Sequence, residues 1–128
     1  MNKIVKIEYI AEIGWNFMGD MKLAESMIAA AADSGATTAK FQYWNPDKLK
    51  PGPWDDDGRR EIYQKAKLNK DKISLLSQYC KEHGVNFLLS VFNREDLEFV
   101  SEFSTKAIKV PSHEVSNLDL IKTALNQF

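Results

Sequence analysis

The chain has 128 residues, 44% of them hydrophobic and 27% charged, with a formal net charge of -1. Such values describe an ordinary soluble domain, and the near-neutral balance speaks against nucleic acid or a membrane surface as partner. A single cysteine, Cys80, rules out an internal disulfide; with no signal peptide and no apolar run of about 18 residues, a reducing, cytoplasmic setting is expected.

Met1 to Gly14 reads as an extended start, in which Ile4, Val5, Ile7, Tyr9, Ile10, Ala11 and Ile13 form a run rich in β-branched residues. It ends in Glu12-Ile13-Gly14-Trp15-Asn16, so a carboxylate and an amide stand where the strand stops. Asp20 has the position of an N-cap for a helix over Met21 to Asp33, whose apolar residues recur at helical spacing, and Gly35 is its stop signal. A second strand, Ala36 to Tyr43, puts Lys40 and Gln42 on one face by alternation and Ala39, Phe41 and Tyr43 on the other. Trp44 to Arg60, with its prolines, glycines and the run Asp55-Asp56-Asp57, reads as a long loop, and such loops are usually functional or mobile. The triple aspartate reads as a solvated loop, and Trp15, Phe17, Trp44 and Phe92 as core or rim packing rather than sugar platforms.

Glu61 to Leu68 looks like a short helix, and a longer one opens at Asn69 or Lys70 and runs to His83, with Ile73, Leu76, Tyr79 and Cys80 inward and Gly84 as its close. Cys80 is then a packed core thiol. Val85 to Phe92 is a third strand with Ser90 near its end, and Asn93 caps a helix over Arg94 to Phe103. A fourth strand, Ala107 to Val110, runs into Pro111-Ser112-His113-Glu114-Val115-Ser116-Asn117, and a further helix begins at Leu118. Lys109 falls inside that strand, where burial on both faces would require the ammonium to meet an anion.

Strand and helix alternate four times with no hairpin signal between strands, which predicts right-handed crossovers and a parallel sheet. Polar residues then gather at the strand ends, on one rim: Glu12, Lys40 and Gln42, Ser90, and Lys109, Ser112 and Glu114. The fold class is α/β, with parallel (β/α) units of a TIM-type barrel and about four of the eight present, since a complete barrel takes about 250 residues. A small doubly wound open sheet is the alternative, although Glu12 to Gly19 lacks the spacing of a dinucleotide loop.

Ile10-Ala11-Glu12-Ile13-Gly14-Trp15-Asn16 with Gly19-Asp20, then Lys40-Phe41-Gln42, Phe87 to Phe92, and Lys109 to Leu118 resemble, in order and spacing, the N-terminal half of the N-acetylneuraminate (sialic acid) synthase family. The resemblance covers essentially the whole chain, and these motifs do not separate the family from its legionaminate, pseudaminate and spore-coat relatives. It implies that residues 1–128 are the N-terminal half of a (β/α)8 barrel, with the second half and an antifreeze-like domain outside the chain. The implied reaction condenses phosphoenolpyruvate with an N-acylated, N-acetylmannosamine-like hexosamine, with a divalent metal (Mn or Mg), to a nine-carbon 2-keto acid and phosphate. A homo-oligomer is expected.

By position, the resemblance implies that Lys40, Ser90, Lys109 and Ser112 hold the phosphate and carboxylate of phosphoenolpyruvate. Glu12 and Glu114 become the candidate catalytic carboxylates, while Asn16, Gln42 and Asn117 join the substrate-binding set. Phe17 stands where the family commonly has histidine, and His113 where it commonly has glycine. The metal-binding histidines belong to the absent half, so these residues alone are expected to be catalytically incomplete. Two other readings stay open: a Schiff-base aldolase with Lys109 as nucleophile, and a non-catalytic half-barrel that serves as an assembly module.

Overall fold

The computed structural model describes residues 7–103 and 106–128. The expected strand residues Ile4 and Val5 lie outside them. In sequence order the elements are β1 (Ile10–Gly14), α1 (Met21–Asp33), β2 (Thr38–Gln42), α2 (Arg59–Ala66), α3 (Lys70–Glu82), β3 (Asn86–Ser90), α4 (Arg94–Val100), β4 (Ile108–Lys109) and α5 (Leu118–Gln127). All strand pairs are parallel and the sheet order is β1-β2-β3-β4. Each strand is therefore laid beside its predecessor, with no reversal of direction across the sheet. That order sets aside the doubly wound alternative, which needs a switch point, and is the progression of a barrel wall.

The helices start where side chains satisfy their first N–H groups. Asp20 Oδ1 accepts from Lys22 N and Leu23 N, Asn69 Oδ1 from Lys72 N, and Asn93 Oδ1 from Asp96 N. Helix α2 begins two residues before the expected Glu61, after Gly58, and has no side-chain cap. Ala39, Phe41 and Leu89 point to the helix side of the sheet, where they are fully buried with Ile28, Ile73 and Leu76. Cys80 belongs to this core, and burial pushes its thiol up to about 12.

Several expected elements are shorter in the structure: β1 starts only at Ile10, β2 is trimmed to Thr38–Gln42 and β3 to Asn86–Ser90. Strand β4 holds two residues rather than the expected four. Lys109 is half-buried rather than enclosed on both faces. Helix α4 ends at Val100, three residues before the expected Phe103.

The Trp44–Arg60 segment is not an unstructured loop. It contains 3-10 turns at Pro46–Lys48 and Pro53–Asp55, and it is tied to α2 by charge. Asp47 pairs with Lys67 at 2.9 Å and accepts from Gln64; Asp55 pairs with Arg60, and Arg59 with Asp57 at 2.6 Å. These cations hold the carboxyls of Asp47, Asp55 and Asp57 below the usual range. Among the described residues, no helix is long and apolar enough to cross a membrane.

The turn between β1 and α1 is fixed against α2 by Gly19. Its φ is +84°, and a Cβ there would lie 2.1 Å from the Lys65 carbonyl oxygen. Both the backbone conformation and the missing side chain are needed. Gly19→Ala is expected to lower unfolding stability by about 2 kcal/mol or more. Urea denaturation checks this, and an unchanged midpoint would refute the close packing.

Candidate functional site

The polar residues at the strand ends share one face. Glu12 is in register with Lys40, and Gln42, Ser90 and Lys109 form a row at one level across β2, β3 and β4. Partners in register, and residues two apart on one strand, point to the same side of a sheet. Glu12, Lys40, Gln42, Ser90 and Lys109 therefore lie together on the face opposite Phe41 and Leu89.

Within this group Lys40 is 4% exposed, and its Nζ lies 2.5 Å from Glu12 Oε1, whose side chain is open to solvent. Burial of an unpaired ammonium costs several kcal/mol, so Glu12 fixes where Lys40 can sit. The register then slips: Glu12 faces Lys40 but Gly14 faces Phe41, leaving Ile13 as an extra residue in β1. Such a bulge at a strand end re-aims the residues after it. Gly14, at φ +60°, lies beneath both polar groups; a Cβ there would be 3.3 Å from Gln42 Oε1 and 3.8 Å from Glu12 Oε1. Ser90 is buried, its hydroxyl donating weakly to Phe41 O at 3.4 Å. Lys109 is in no ion pair among the described residues.

The β4–α5 segment presents the remaining candidates differently. Ser112–Glu114 form a 3-10 turn in which Ser112 is exposed. Glu114 Oε2 accepts from Asn117 Nδ2 at 2.9 Å, and Asn117 Oδ1 accepts from Leu120 N at 3.2 Å. Asn117 thus caps α5 with one end of its amide and holds Glu114 with the other. Asn16 is exposed in the turn after β1, and its amide donates to Ile13 O at 2.9 Å. The structure gathers Glu12, Lys40, Gln42, Ser90 and Lys109, and leaves Asn16, Ser112 and Asn117 on surrounding turns.

A cavity of about 520 Å³ opens on the same rim, beneath the Trp44–Arg60 segment, and Gln42 and Glu114 line it. Its wall is a ladder of rings: Trp15 meets Tyr63 at 4.8 Å, Tyr63 meets Trp44 at 4.6 Å, Trp44 meets Phe92 at 5.6 Å, and Phe92 stacks on His113 at 5.4 Å. The segments after β1, β3 and β4 each contribute one ring, and the connection after β2 contributes two, Trp44 and Tyr63. Rim packing is the expectation for Trp15, Trp44 and Phe92, and it is correct for their mutual contacts, but they also enclose a space. Phe17 is a core residue, 1% exposed.

Asp96 also lines the cavity and is absent from the expected site. It is 5% exposed; Asn93 Nδ2 donates to its Oδ2 at 2.8 Å, and Lys48 Nζ lies 3.7 Å from Oδ1, while Lys48 itself pairs with Glu95. Burial is the main cause that raises its carboxyl above the usual range. In the sequence, Asp96 is indistinguishable from an ordinary acidic residue in a helix's first turn. A metal of the kind the resemblance implies finds no ligand set here: among the described residues, no three His, Cys, Asp or Glu side chains are grouped to hold one.

The raised carboxyl of Asp96 has a definite linkage sign. The folded state holds its proton more tightly than the unfolded state does, so this group's stabilising contribution is full below the ordinary Asp range and is lost as pH rises through the raised value. Asp96→Asn is therefore expected to be more stable than the unmodified protein at pH 7, with the advantage disappearing below about pH 3.9. Urea denaturation of both proteins at the two pH values tests it; an advantage that does not change with pH would contradict the assignment.

Comparison with known proteins adds four findings. Residues 27–127 match the NeuB family. The chain is 33% identical over 124 residues to N,N'-diacetyllegionaminic acid synthase of Campylobacter jejuni, covering 88% of this chain and 37% of that protein. It is also 33% identical over 135 residues to N-acetylneuraminate-9-phosphate synthase of Drosophila melanogaster, covering 97% and 36%. Among solved structures, the N-acetylneuraminic acid synthetase of Leptospira borgpetersenii, crystallised with citrate, superposes with a TM-score of 0.81 at 26% identity, over 94% of this chain and 41% of that one. The chain thus spans little more than a third of the length of these curated relatives.

Proposed function

The chain belongs to the NeuB family, and from that premise we propose that residues 1–128 supply the N-terminal, phosphoenolpyruvate-binding half of a sialic-acid-type synthase barrel. The reaction joins phosphoenolpyruvate to an N-acylated hexosamine and gives a nine-carbon 2-keto acid and phosphate. By itself this half is inactive, because the rest of the barrel contributes to the site.

The observation that carries the reading is the row Gln42, Ser90 and Lys109 in register on one sheet face, beside Lys40. Phosphoenolpyruvate presents a phosphate and a carboxylate, and ammonium and hydroxyl donors on a partly dry rim match both. Lys109 is the stronger anion contact, because Lys40 already has Glu12 at 2.5 Å. Ser90 and the exposed Ser112 add hydroxyls from neighbouring strand ends.

In the condensation, C3 of the enol attacks the aldehyde carbon of the sugar, and the aldehyde oxygen takes up a proton. Positive charge develops at C2. Water adds there and gives up a proton, and the tetrahedral adduct expels phosphate to leave the 2-keto group. Carboxylates near C2 stabilise the cation and steer the water, the roles we assign to Glu12 and Glu114. Asn16, Gln42 and Asn117 lie around the sugar's side of the rim.

Calorimetric titration of the protein with phosphoenolpyruvate tests the reading. Binding is expected, and Lys109→Ala should weaken it by at least about a hundredfold, the range of a lost charge-assisted contact. Lys40→Ala should cost less. A folded protein that binds no phosphoenolpyruvate, or binds it equally well without Lys109, would sink the proposal.

A further inference from the structure

We propose that residues 49–57 are a flap that opens and closes over the ring-walled cavity, and that Arg60 is the clasp that holds it shut. The inference goes beyond the synthase reading and does not depend on it. Local contacts make the flap one body. Trp54 Nε1 donates to Lys50 O at 2.9 Å, Gly52 N donates to Asp55 Oδ2 at 2.8 Å, and the Trp54 ring lies so close to Gly52 that a Cβ there would be 2.4 Å from it. Pro51 and Pro53 stiffen the same turn by fixing φ.

Its ties to the rest of the molecule are few. Among the described residues, every hydrogen bond and ion pair made by residues 49–57 ends within residues 46–60. The pair between Asp57 and Arg59 spans two positions and turns with the flap's own end. Arg60 is different: its Nε pairs with Asp55 on the flap, while a second guanidinium nitrogen donates to Pro46 O at 3.0 Å, so one side chain grips both the flap and the buried root from which it springs. That root is fixed independently, through Asp47 to Lys67 and Gln64. At the other end, Gly58 joins the flap to α2 in a left-handed conformation (φ +82°), with open space where a side chain would stand. A clasp made of one ion pair at the surface is weak and is screened by salt, so opening costs little. Closed, the flap sets Lys50 and Trp54 in the cavity wall; open, it withdraws both and lets a ligand pass between cavity and solvent.

Trp54 reports where the flap is, because the other two tryptophans, Trp15 and Trp44, are held in the ring ladder. Acrylamide quenching of tryptophan emission is measured on the protein at low salt and in about 1 M sodium chloride, where the screening length falls to about 3 Å, with circular dichroism as the check on folding. The quenching constant of the unmodified protein is expected to rise with salt by about half or more, as Asp55 lets go of Arg60. Arg60→Gln should show the raised value already at low salt, Arg60→Lys should restore the salt dependence, since an ammonium still pairs with Asp55, and Trp54→Phe should abolish the difference between Arg60→Gln and its parent. Asp55→Asn cuts the clasp from the other side and stands in for Arg60→Gln if that variant does not fold. Quenching that is the same with and without the clasp, a salt dependence that Arg60→Lys fails to restore, or a difference that survives Trp54→Phe overturns the inference. No ligand enters the measurement, so its failure leaves the synthase reading untouched.

Discussion

The arrangement of the rim depends on one buried ammonium. Lys40 is almost sealed within a strand that has neighbours on both sides, and its charge is met by Glu12 on the adjacent strand. The pair sets the register of β1 on β2, and the extra residue Ile13 is accommodated immediately beyond it. Without the bulge, Ile13 would face Phe41, Gly14 would face Gln42, and Trp15 would leave the strand in another direction. The same few residues therefore fix a charge at the strand end and aim the first ring of the cavity wall.

Two chemistries are thereby built side by side. Along the strand ends the groups are charged or hydroxylic and held by the sheet, with positions set to within the precision of parallel pairing. Above them the wall is aromatic and is held by the turns, whose order comes from ion pairs between the Trp44–Arg60 segment and α2. Gln42 and Glu114 belong to both, since they stand in or beside the strand-end group and also line the cavity. Such a boundary suits the condensation proposed above, which joins an anionic three-carbon unit to an acylated sugar.

Much of this is legible in the sequence because it is local. The caps Asp20, Asn69 and Asn93, the core residues of α1 and α3, and the face shared by Lys40 and Gln42 follow from spacing alone. The strand-end residues can be named because parallel strands place their ends on one rim. The features that stay hidden depend on distant contacts. The run Asp55-Asp56-Asp57 does not reveal that Asp55 and Asp57 will grip the arginines that open α2. Nor do Trp15, Trp44, Phe92 and His113, separated by dozens of residues, announce that they form one ladder. Strand β4 is shorter than its apolar pattern implies.

Asp96 shows the limit most clearly. From the sequence it is the third residue of a helix after an asparagine, a position where a carboxylate helps the cap and interacts well with the helix N-terminus. The structure keeps that role, with Asn93 bonded to it in both directions, and adds burial against a cavity. A carboxylate needed only for capping would be better placed in water, where its charge costs nothing. Asp96 is instead held where desolvation works against ionisation, its ion-pair partner Lys48, at 3.7 Å, being shared with Glu95. A local rule is thus satisfied at an electrostatic disadvantage, and such conflicts are concentrated where a protein binds something.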